Sequence, residues 1–543
     1  MITLLIVPTH QYRTKQPSLL SISDFPAGFA YIAASLKANG HDVIGLNPNN
    51  HPEYKEPYYM LANLIGETLA KHKPGLIGLG GICVDYAFIK DAIDLCRKFA
   101  PGVPIVLGGG IISNDREDVF RILQPDFGLI GEAEETIVRL CNALEGRDKI
   151  EDIPNLSYWR DKNPVHNPVN HEYGELDARP FPDYEAFGGL EMVDRYSMAT
   201  RVLYRYTRTH PRPFTIVTAR SCPFSCTFCV HRGGPKYRAR SIENIMEEIR
   251  VNWEKYRFNI LIILDELFAV NKARMREFCE ALLEGKRRYG WDFDWMMQTH
   301  ASAALDYDTL KLAKEAGLTF FSYGLESASP TVLKSMNKRM RPTQIIEALK
   351  LAEEVGIGFG GNLIFGDPAE TEQTIHESLN FYWDYCRGAM VFLADLRPYP
   401  GNKLFDFCVE YGLIPDKKEY YETIDSHPFN MTRIPNNRWV QWLTYFNITE
   451  GAWFGFKQTM ALSVELDNEL PDEVARILGR QMYRVKAICP HCGEMIEYRE
   501  MLVPGVMPEY LGTGCPKCGY RIRVGLKVGE YADTMEVKEL VKA

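Results

Sequence analysis

The sequence Arg220-Ser-Cys222-Pro-Phe-Ser-Cys226-Thr-Phe-Cys229 follows directly on a short apolar stretch, Thr215-Ile-Val-Thr-Ala219. Three thiols that are separated by three and then by two residues can converge from one loop on a single metal centre. A four-iron cluster takes four ligands, so a loop with three cysteines leaves one iron open to a substrate or a cofactor. A structural zinc site would need a fourth protein ligand, for which His231 is the nearby candidate. The stretch therefore predicts a metal-binding loop at the end of a strand.

The region around this loop, from about residue 211 to 415, repeats a strand followed by a helix. Helical stretches such as 306–316 and 343–355 separate short apolar runs, which are residues 214–219, 260–264, 294–298, 320–325, 359–365 and 390–396. These units predict a partial (β/α)6 barrel, and parallel barrels carry their chemistry at the carboxyl ends of the strands. Because the cysteine loop follows the first of these strands, we expect the functional site at that end.

A second alternation of strand and helix occupies residues 1–150. Amphipathic stretches such as 29–39 and 86–99 alternate with apolar runs at 3–7, 42–46, 76–79, 103–107 and 127–130. This pattern predicts a doubly wound, Rossmann-like α/β domain whose parallel sheet is covered on both faces. Gly80, Gly108 and Gly109 follow two of the strands, at the edge where open parallel sheets bind ligands. Tight turns without a ligand would also explain these glycines.

The remaining segments differ in composition from the two alternating regions. Residues 151–210, rich in Pro, Asn, Asp and Arg, are expected to form an extended linker, and the aromatic-rich residues 416–485 a mostly helical region. The tail, residues 486–543, contains two Cys-x-x-Cys pairs 22 residues apart, formed by Cys489, Cys492, Cys515 and Cys518. This spacing predicts a zinc ribbon, in which four thiolates complete the coordination of a structural zinc.

Composition and charge exclude several classes of protein. The chain of 543 residues has 62 Lys and Arg against 71 Asp and Glu, a net charge of −9, so it has no global positive field to hold nucleic acid or an anionic membrane. The amino terminus reads as a buried strand rather than a signal peptide, and no apolar run approaches the length of a spanning helix. We therefore expect a cytoplasmic protein without a membrane partner. The remaining cysteines, Cys83, Cys96, Cys141, Cys279, Cys386 and Cys408, lie singly among apolar neighbours and are expected in the core.

The cysteine loop resembles that of the radical S-adenosylmethionine (SAM) superfamily, in spacing and in the aromatic Phe228 before the last cysteine. The resemblance implies that Cys222, Cys226 and Cys229 bind a 4Fe–4S cluster. It also implies that the open iron chelates SAM, which an electron from the cluster cleaves to a 5′-deoxyadenosyl radical.

Four later segments continue this resemblance in the expected order. They are Ile263-Leu264-Asp265-Glu266, Tyr323-Gly-Leu-Glu326-Ser327, Gly361-Asn-Leu-Ile364-Phe-Gly366 and Pro398-Tyr-Pro400-Gly401. The resemblance implies SAM contacts from Asp265, Glu266, Gly324, Glu326, Ser327, Gly361, Ile364 and Gly366. The chain departs from the superfamily at Gln298-Thr-His300, where a Thr-Arg pair is usual.

The amino-terminal region resembles the cobalamin-binding domain of one large radical SAM subfamily. The matching residues include Pro26-Ala-Gly28, Gly108-Gly109 and Gly131-Glu132-Ala-Glu134. The resemblance implies cobalamin contacts from Pro26, Gly28, Gly80, Gly108, Gly109, Gly131, Glu132 and Glu134. The Asp-x-His-x-x-Gly loop of cobalamin mutases is absent from the sequence, which implies cobalamin without a protein histidine on cobalt. A degenerate domain that has lost cobalamin is the alternative.

Together these resemblances imply a cobalamin-dependent radical SAM methyltransferase. One SAM would supply a methyl group through methylcobalamin, and a second would supply the radical that activates a carbon or phosphinate centre of a small-molecule substrate. A flavodoxin- or ferredoxin-type protein would supply electrons. The alternatives are a non-methylating enzyme, such as the oxidative cyclase of tetrapyrrole biosynthesis, an RNA-modifying enzyme, and a non-catalytic cobalamin or redox sensor. Nucleic acid is the less favoured partner, because the tail from Lys486 onward has 8 basic and 8 acidic residues.

Overall fold

The computed structural model of the protein divides into two compact units. One unit comprises Met1–Ala199, Thr215–Tyr256 and Arg397–Met431, and the other comprises Thr200–Phe214, Arg257–Leu396 and Thr432–Ala543. Within them the structure describes residues 1–9, 12, 25–50, 57–189, 212–230, 236–268, 270–301, 303, 305–386, 389–424, 429–451, 457–467, 481–502, 510–515, 517–518 and 520–526. His231 lies outside the described residues.

The first unit contains a seven-stranded sheet with the strand order β2-β1-β3-β4-β5-β6-β7. Its strands are β1 (Ile2–Ile6), β2 (Asp42–Leu46), β3 (Leu76–Gly80), β4 (Ile105–Gly108), β5 (Phe127–Leu129), β6 (Leu156–Arg160) and β7 (Asn163–His166). Helices connect the first five strands, which pair in parallel: α1 (Ala27–Ala38), α2 (Pro57–His72), α3 (Tyr86–Phe99), α4 (Gly110–Asn114), α5 (Arg116–Leu123) and α6 (Glu134–Leu144). The predicted α/β fold of this region is confirmed.

The first part of the expected linker belongs to this sheet. Strand β6 pairs antiparallel with β5, and β7 pairs antiparallel with β6. Asp161 and Lys162 connect β6 to β7, and both have positive φ angles, 49° and 64°, which is the backbone of a tight type I′ hairpin turn. The expectation of an extended connector is therefore wrong for residues 156–166, because this turn lacks the glycine that usually identifies a hairpin.

The cysteine loop belongs to the first unit, where it connects two short strands that pair with each other. Strand β8 (Pro213–Ile216) precedes it, and β9 (Ala219–Arg220) pairs antiparallel with β10 (Arg238–Ala239), so the cysteines occupy the loop of a hairpin. Helix α7 (Ile242–Tyr256) follows the hairpin.

The second unit contains the other barrel strands. They are β11 (Ile260–Ile263), β12 (Asp294–Thr299), β13 (Leu318–Glu326), β14 (Gly358–Phe365) and β15 (Met390–Asp395), and the sheet has the order β15-β14-β13-β12-β11-β8. Successive strands from β11 to β15 pair in parallel, as a partial barrel requires. Its helices are α8 (Lys272–Tyr289), α9 (Tyr307–Glu315), α10 (Pro330–Ser335), α11 (Pro342–Val355) and α12 (Glu372–Phe381).

The chain after the barrel forms three helices and a further sheet. Helices α13 (Lys403–Glu410) and α14 (Lys417–Thr423) belong to the first unit, and α15 (Asn436–Gly451) belongs to the second. A five-stranded sheet follows, with β16 (Lys457–Leu466), β17 (Gln481–Ile488), β18 (Met495–Leu502), β19 (Tyr510–Gly514) and β20 (Arg521–Gly525) in the order β18-β17-β16-β20-β19.

This last sheet begins before the expected ribbon boundary. Residues 457–466 belong to the region 416–485, for which the sequence predicts mostly helix, but they form a strand whose pairing with β17 is irregular between Ala461 and Ser463. That irregularity hides the period of two that identifies a strand. Buried Val464, Val485 and Tyr498 pack in one core with Cys489 and Cys515, so β16 belongs to the same fold as the tail cysteines.

No helix among the described residues combines the length and the apolar character that a membrane crossing needs.

Candidate functional site

The three cysteines of the hairpin loop are half-buried. The loop begins at Ser221, a buried residue with a φ of 68°, and this left-handed turn directs the chain away from β9. Near its end, the amide of Cys229 donates a hydrogen bond of 3.3 Å to the carbonyl oxygen of Cys226. The carbonyl oxygen of Phe228 accepts a hydrogen bond from the side chain of Asn402. Three thiols on one fixed loop form a donor set that fits an iron-sulfur cluster.

Two acidic residues that follow β5, Glu132 and Glu134, lie at the base of this hairpin. Glu132 forms ion pairs with Arg220 and Arg238, and Glu134 forms one with Arg220. Neither arginine is among the functional candidates that the sequence predicts. Arg220 stands two residues before Cys222, and this proximity to the cysteine loop is the signal that could have identified it.

The glycines assigned to cobalamin divide into two groups. A Cβ atom on Gly109, whose φ is 82°, would lie 2.6 Å from the carbonyl oxygen of Gly81, and one on Gly131 would collide with the hydroxyl of Tyr173. The fold itself therefore requires these two glycines. A Cβ on Gly80 would lie 3.3 Å from the carbonyl oxygen of Gly108, a tight but smaller conflict.

The other glycines of this edge leave space beside the backbone. Nothing lies within 4 Å of a Cβ added to Gly28, and the nearest atoms to one on Gly108 are 4.0 Å away. Pro26 is the N-cap of α1, and its carbonyl oxygen accepts a hydrogen bond from the amide of Phe29. The open positions at Gly28 and Gly108 fit the close approach of a large ligand to the carboxyl edge of the sheet.

In the second unit, the segment for which the resemblance implies SAM contacts lies at the end of β13. Glu326, with a φ of 61°, accepts a hydrogen bond of 2.8 Å from Lys338, and both side chains are largely buried. A Cβ on Gly324 would lie 2.7 Å from the Nζ atom of Lys338 and from Oε1 of Glu326, so this glycine leaves room for the ion pair. No local motif identifies Lys338, which lies 12 residues beyond Glu326.

The side chain of Ser327 is buried and is hydrogen-bonded to other residues of the protein. Its Oγ atom lies 3.1 Å from Oγ of Ser378 and accepts a hydrogen bond from the amide of Ser329 just before α10. Ser327 is 2% exposed. Its hydroxyl is therefore occupied by contacts within the protein.

At the end of β11, the two acidic residues differ in exposure. Asp265 is 3% exposed, whereas the side chain of Glu266 is exposed to solvent. Glu266 is thus accessible to a ligand, and Asp265 lies within the packed strand end.

The β14 segment contains a close approach between strands. A Cβ on Gly361 would collide with the carbonyl oxygen of Tyr323, its register partner on β13, and one on Gly366 would lie 3.1 Å from the ring of Trp439. Ile364, on the same strand, is half-buried. The turn that follows contains Glu370, which accepts hydrogen bonds from Thr374 at 2.5 Å and from the amide of Gly366 at 3.4 Å.

His300 stands after β12, where the superfamily usually has an arginine. Burial lowers the pKa of His300 to about 4, and the charge of Lys338 acts in the same direction. The imidazole is therefore neutral at pH 7 and does not replace the missing positive charge. It lines a cavity of about 250 Å³ together with Tyr323, Gln344 and Glu347.

The four cysteines of the tail converge on one point. Cys489 and Cys492 follow β17, and Cys515 and Cys518 lie between β19 and β20. The Sγ atoms of Cys489 and Cys518 are 3.7 Å apart, those of Cys492 and Cys515 are 3.5 Å apart, and all four lie within 4.8 Å of one another. Tetrahedral zinc with Zn–S bonds of about 2.3 Å places its sulfur atoms about 3.8 Å apart. The geometry therefore fits a structural zinc ion.

Comparisons with known proteins agree with the two-domain pattern. A model of the radical SAM superfamily matches residues 216–382, and a model of the B12 binding domain matches residues 25–141. An uncharacterised methyltransferase, PH0819, from Pyrococcus horikoshii is 25% identical over 431 residues, which are 78% of this chain and 86% of the relative. The anaerobic magnesium-protoporphyrin IX monomethyl ester cyclase of Rubrivivax gelatinosus is 27% identical over 405 residues, 73% of this chain and 67% of the relative.

A solved structure shares the fold over most of both chains. The radical SAM methyltransferase TsrM from Kitasatospora setae, with cobalamin and a 4Fe–4S cluster bound, matches with a TM-score of 0.59 and 16% identity, covering 76% of this chain and 75% of TsrM. The chain thus contains a B12-binding domain at residues 25–141 followed by a radical SAM domain at residues 216–382, and it is a radical SAM enzyme.

Proposed function

We propose that the protein is a cobalamin-dependent methyltransferase that moves a methyl group from SAM to an unactivated carbon or phosphinate centre of a small molecule. The main support for this proposal is that the first unit contains both the B12-binding sheet and the cysteine loop. The cysteine loop folds within the same compact unit as the B12-binding sheet, and ion pairs between Arg220 and the Gly131–Glu134 segment connect the two. A methyl carrier and a radical generator would thus share one rigid support.

Each set of residues has a distinct role in this proposal. Cys222, Cys226 and Cys229 hold the cluster, and Gly28 and Gly108 leave the sheet edge open to the corrinoid. Glu266 and Glu326 are polar groups toward SAM on the second unit. When bound, the cluster and cobalamin supply reductive SAM cleavage and methyl transfer, so the protein's own task is positioning and the exclusion of water. A flavodoxin- or ferredoxin-type protein is proposed as the electron donor.

The relationship to the cyclase favours a second candidate function. The Rubrivivax cyclase is 27% identical to this chain, about as similar as the Pyrococcus methyltransferase. An oxidative cyclase would use the same cysteine loop for SAM cleavage without transferring a methyl group.

Product stoichiometry separates the two candidates. Methylation of a carbon radical uses one SAM as methyl donor and one as radical source, so each turnover should release one S-adenosylhomocysteine and one 5′-deoxyadenosine. Candidate substrates can be drawn from small molecules that co-purify with the protein, and incubated anaerobically with methyl-labelled SAM. Equal yields of the two products, with label in the substrate, would support methyl transfer. Sustained turnover that gives 5′-deoxyadenosine without S-adenosylhomocysteine would assign the protein to the cyclase class.

We further propose that the tail binds one structural zinc through Cys489, Cys492, Cys515 and Cys518. The support is that the four sulfur atoms lie within 4.8 Å of one another, and four thiolates complete the tetrahedral coordination of zinc. This zinc would stabilise the ribbon and take no part in catalysis.

A further inference from the structure

The stem of the cysteine hairpin places two arginines directly opposite each other. Arg220 of β9 and Arg238 of β10 are register partners in the antiparallel pair. Like charges at this position destabilise a strand pair. The hairpin that presents Cys222 therefore needs a negative charge at its base.

Glu132 supplies that charge to both strands. Its Oε2 atom lies 2.7 Å from Nη1 of Arg220, as an ion pair rather than a linear hydrogen bond, and its Oε1 atom accepts a hydrogen bond from Nη2 of Arg238. Arg179 approaches the same carboxylate at 3.9 Å. One side chain of the B12-binding domain thus bridges the two strands of the cluster hairpin.

Glu134 holds Arg220 from a second direction. Its Oε1 atom accepts a hydrogen bond of 2.6 Å from Nη2 of Arg220. Burial raises the pKa of Glu134, but the charge of Arg220 and this hydrogen bond outweigh burial, so the pKa lies below its usual range. The carboxylate is therefore ionised at neutral pH.

These ion pairs are shielded from solvent. The side chains of Glu132 and Glu134 are each 6% exposed, and that of Arg220 is 15% exposed. Arg220 lies over the ring of Tyr31 at 4.9 Å, and Arg238 lies over that of Tyr173 at 5.3 Å. Removing one partner of such a buried pair leaves an uncompensated charge and has large effects, unlike the loss of a surface ion pair.

We propose that Glu132 and Glu134 are positioning residues that fix the cluster hairpin through Arg220 and Arg238, and that they do not contact cobalamin. This role differs from the one implied by the family resemblance, because both carboxylates are already engaged by arginines. The inference rests on the cluster assignment of the proposed function and is independent of methyl transfer.

The ion pairs also set the charge near the cluster. Three guanidinium groups, of Arg179, Arg220 and Arg238, are offset by two carboxylates. Neutralising a carboxylate adds one net positive charge at Arg220, two residues from Cys222. Added positive charge stabilises the more negative, reduced form of a cluster, so the midpoint potential should rise.

The test compares Glu132→Gln and Glu134→Gln with Glu135→Gln, a control in the same turn whose side chain is exposed to solvent. The reconstituted full-length protein is assayed for iron content, cobalamin affinity, cluster midpoint potential and SAM cleavage without substrate. We expect both variants to bind cobalamin within about twofold of the parent, to show a less negative potential, and to form 5′-deoxyadenosine about 10- to 100-fold more slowly, since small displacements of reacting groups cost this much. The control should match the parent in every assay.

Conservative variants distinguish the loss of a charge or of a hydrogen bond from misfolding of the protein. Glu132→Asp restores the charge, so its potential should return towards that of the parent. Arg220→Lys keeps the charge but cannot bridge two carboxylates, so it should slow SAM cleavage while retaining cobalamin. A loss of cobalamin affinity of about tenfold or more in Glu132→Gln or Glu134→Gln would overturn the proposal, as would an unchanged potential and cleavage rate. Failure of methyl transfer alone would affect only the proposed function.

Discussion

The side-chain amide nitrogen of Asn402 donates a hydrogen bond of 2.7 Å to the carbonyl oxygen of Phe228, a residue 174 positions earlier in the chain. The Oδ1 atom of the same side chain accepts a hydrogen bond of 2.8 Å from the amide of Phe405, as the N-cap of α13. Asn402 is 3% exposed, so the nitrogen and the oxygen of its side-chain amide are both hydrogen-bonded inside the protein. One buried side chain thus ties the last turn of the cysteine loop to the start of a helix.

Replacement of Asn402 should loosen the cluster loop. Asn402→Ala removes the cap and the bond to Phe228, with an expected cost of about 1–3 kcal/mol in the free energy of unfolding. Asn402→Asp keeps an acceptor for Phe405 but cannot donate to Phe228, so it isolates the contact with the loop. We expect both variants to lose iron to a chelator faster than the parent. Parent-like iron loss in Asn402→Asp would show that this hydrogen bond does not hold the loop.

The iron-sulfur site should depend on the three loop cysteines together. Simultaneous replacement of Cys222, Cys226 and Cys229 by alanine removes every thiol that the loop offers to the cluster. Anaerobic reconstitution of this variant should give no cluster absorbance and no bound sulfide. Replacement of the buried Cys279 by alanine is the control and should leave both unchanged. Iron and sulfide contents equal to those of the parent in the triple variant would contradict the assignment.

Two glycines of the first unit should respond oppositely to alanine. Gly109→Ala forces a positive φ on alanine and a contact of 2.6 Å with a carbonyl oxygen, so it should destabilise the unit by about 1–3 kcal/mol or more. Gly28→Ala, on α1 with open space around it, should raise stability by about 0.5–1 kcal/mol without cobalamin. Thermal unfolding measures both effects. If Gly28 faces the corrinoid, Gly28→Ala should also weaken cobalamin binding, and unchanged affinity would remove it from the site.

The tail should contain one zinc per chain. Cys515→Ala removes one of four ligands and should abolish stoichiometric zinc, and the ribbon should then become sensitive to protease, because folding of such sites is coupled to metal binding. Metal analysis and limited proteolysis measure the two effects. The variant Cys386→Ala, which alters a buried cysteine outside the ribbon, should retain zinc. A protein that keeps an intact tail after zinc removal would not fit the predicted ribbon.

Glu370 should make stability depend on pH. Burial raises its pKa to about 7, against which the hydrogen bond from Thr374 acts. Because the folded state binds the proton more tightly than the unfolded state, the contribution of Glu370 is fully present below its unfolded pKa of about 4.5 and is lost as pH rises to 7 and above. The expected loss is up to about 3 kcal/mol.

Urea unfolding at several pH values measures this dependence. The variant Glu370→Gln should flatten the decline between pH 5 and 8, whereas Glu354→Gln, at an exposed position of α11, should retain it. Identical pH profiles for Glu370→Gln and the parent would show that Glu370 does not carry the protons involved.

The sequence by itself determined where the parallel strands of the barrel lie along the chain, and it predicted the two cysteine sites. Buried parallel strands read as continuous apolar runs, so β11 to β15 were located to within about two residues. The sequence also predicts both metal sites from the spacing of their cysteines. Thiols that are two or three residues apart can reach the same metal, as in Cys222, Cys226 and Cys229 and in the two tail pairs. Strands β6, β7 and β16 escaped prediction because a hairpin without glycine and a bulge both obscure the period of two.

Only the tertiary structure decided what the charged residues do. Glu132 and Glu134 match a family motif in the sequence, yet their arginine partners lie about ninety to a hundred residues later and become neighbours only after folding. The same holds for Lys338 beside Glu326 and for Asn402 beside Phe228. Local sequence patterns record the period of a strand or the spacing of ligands. An ion pair between distant segments depends on burial and distance, which arise only when the chain has packed.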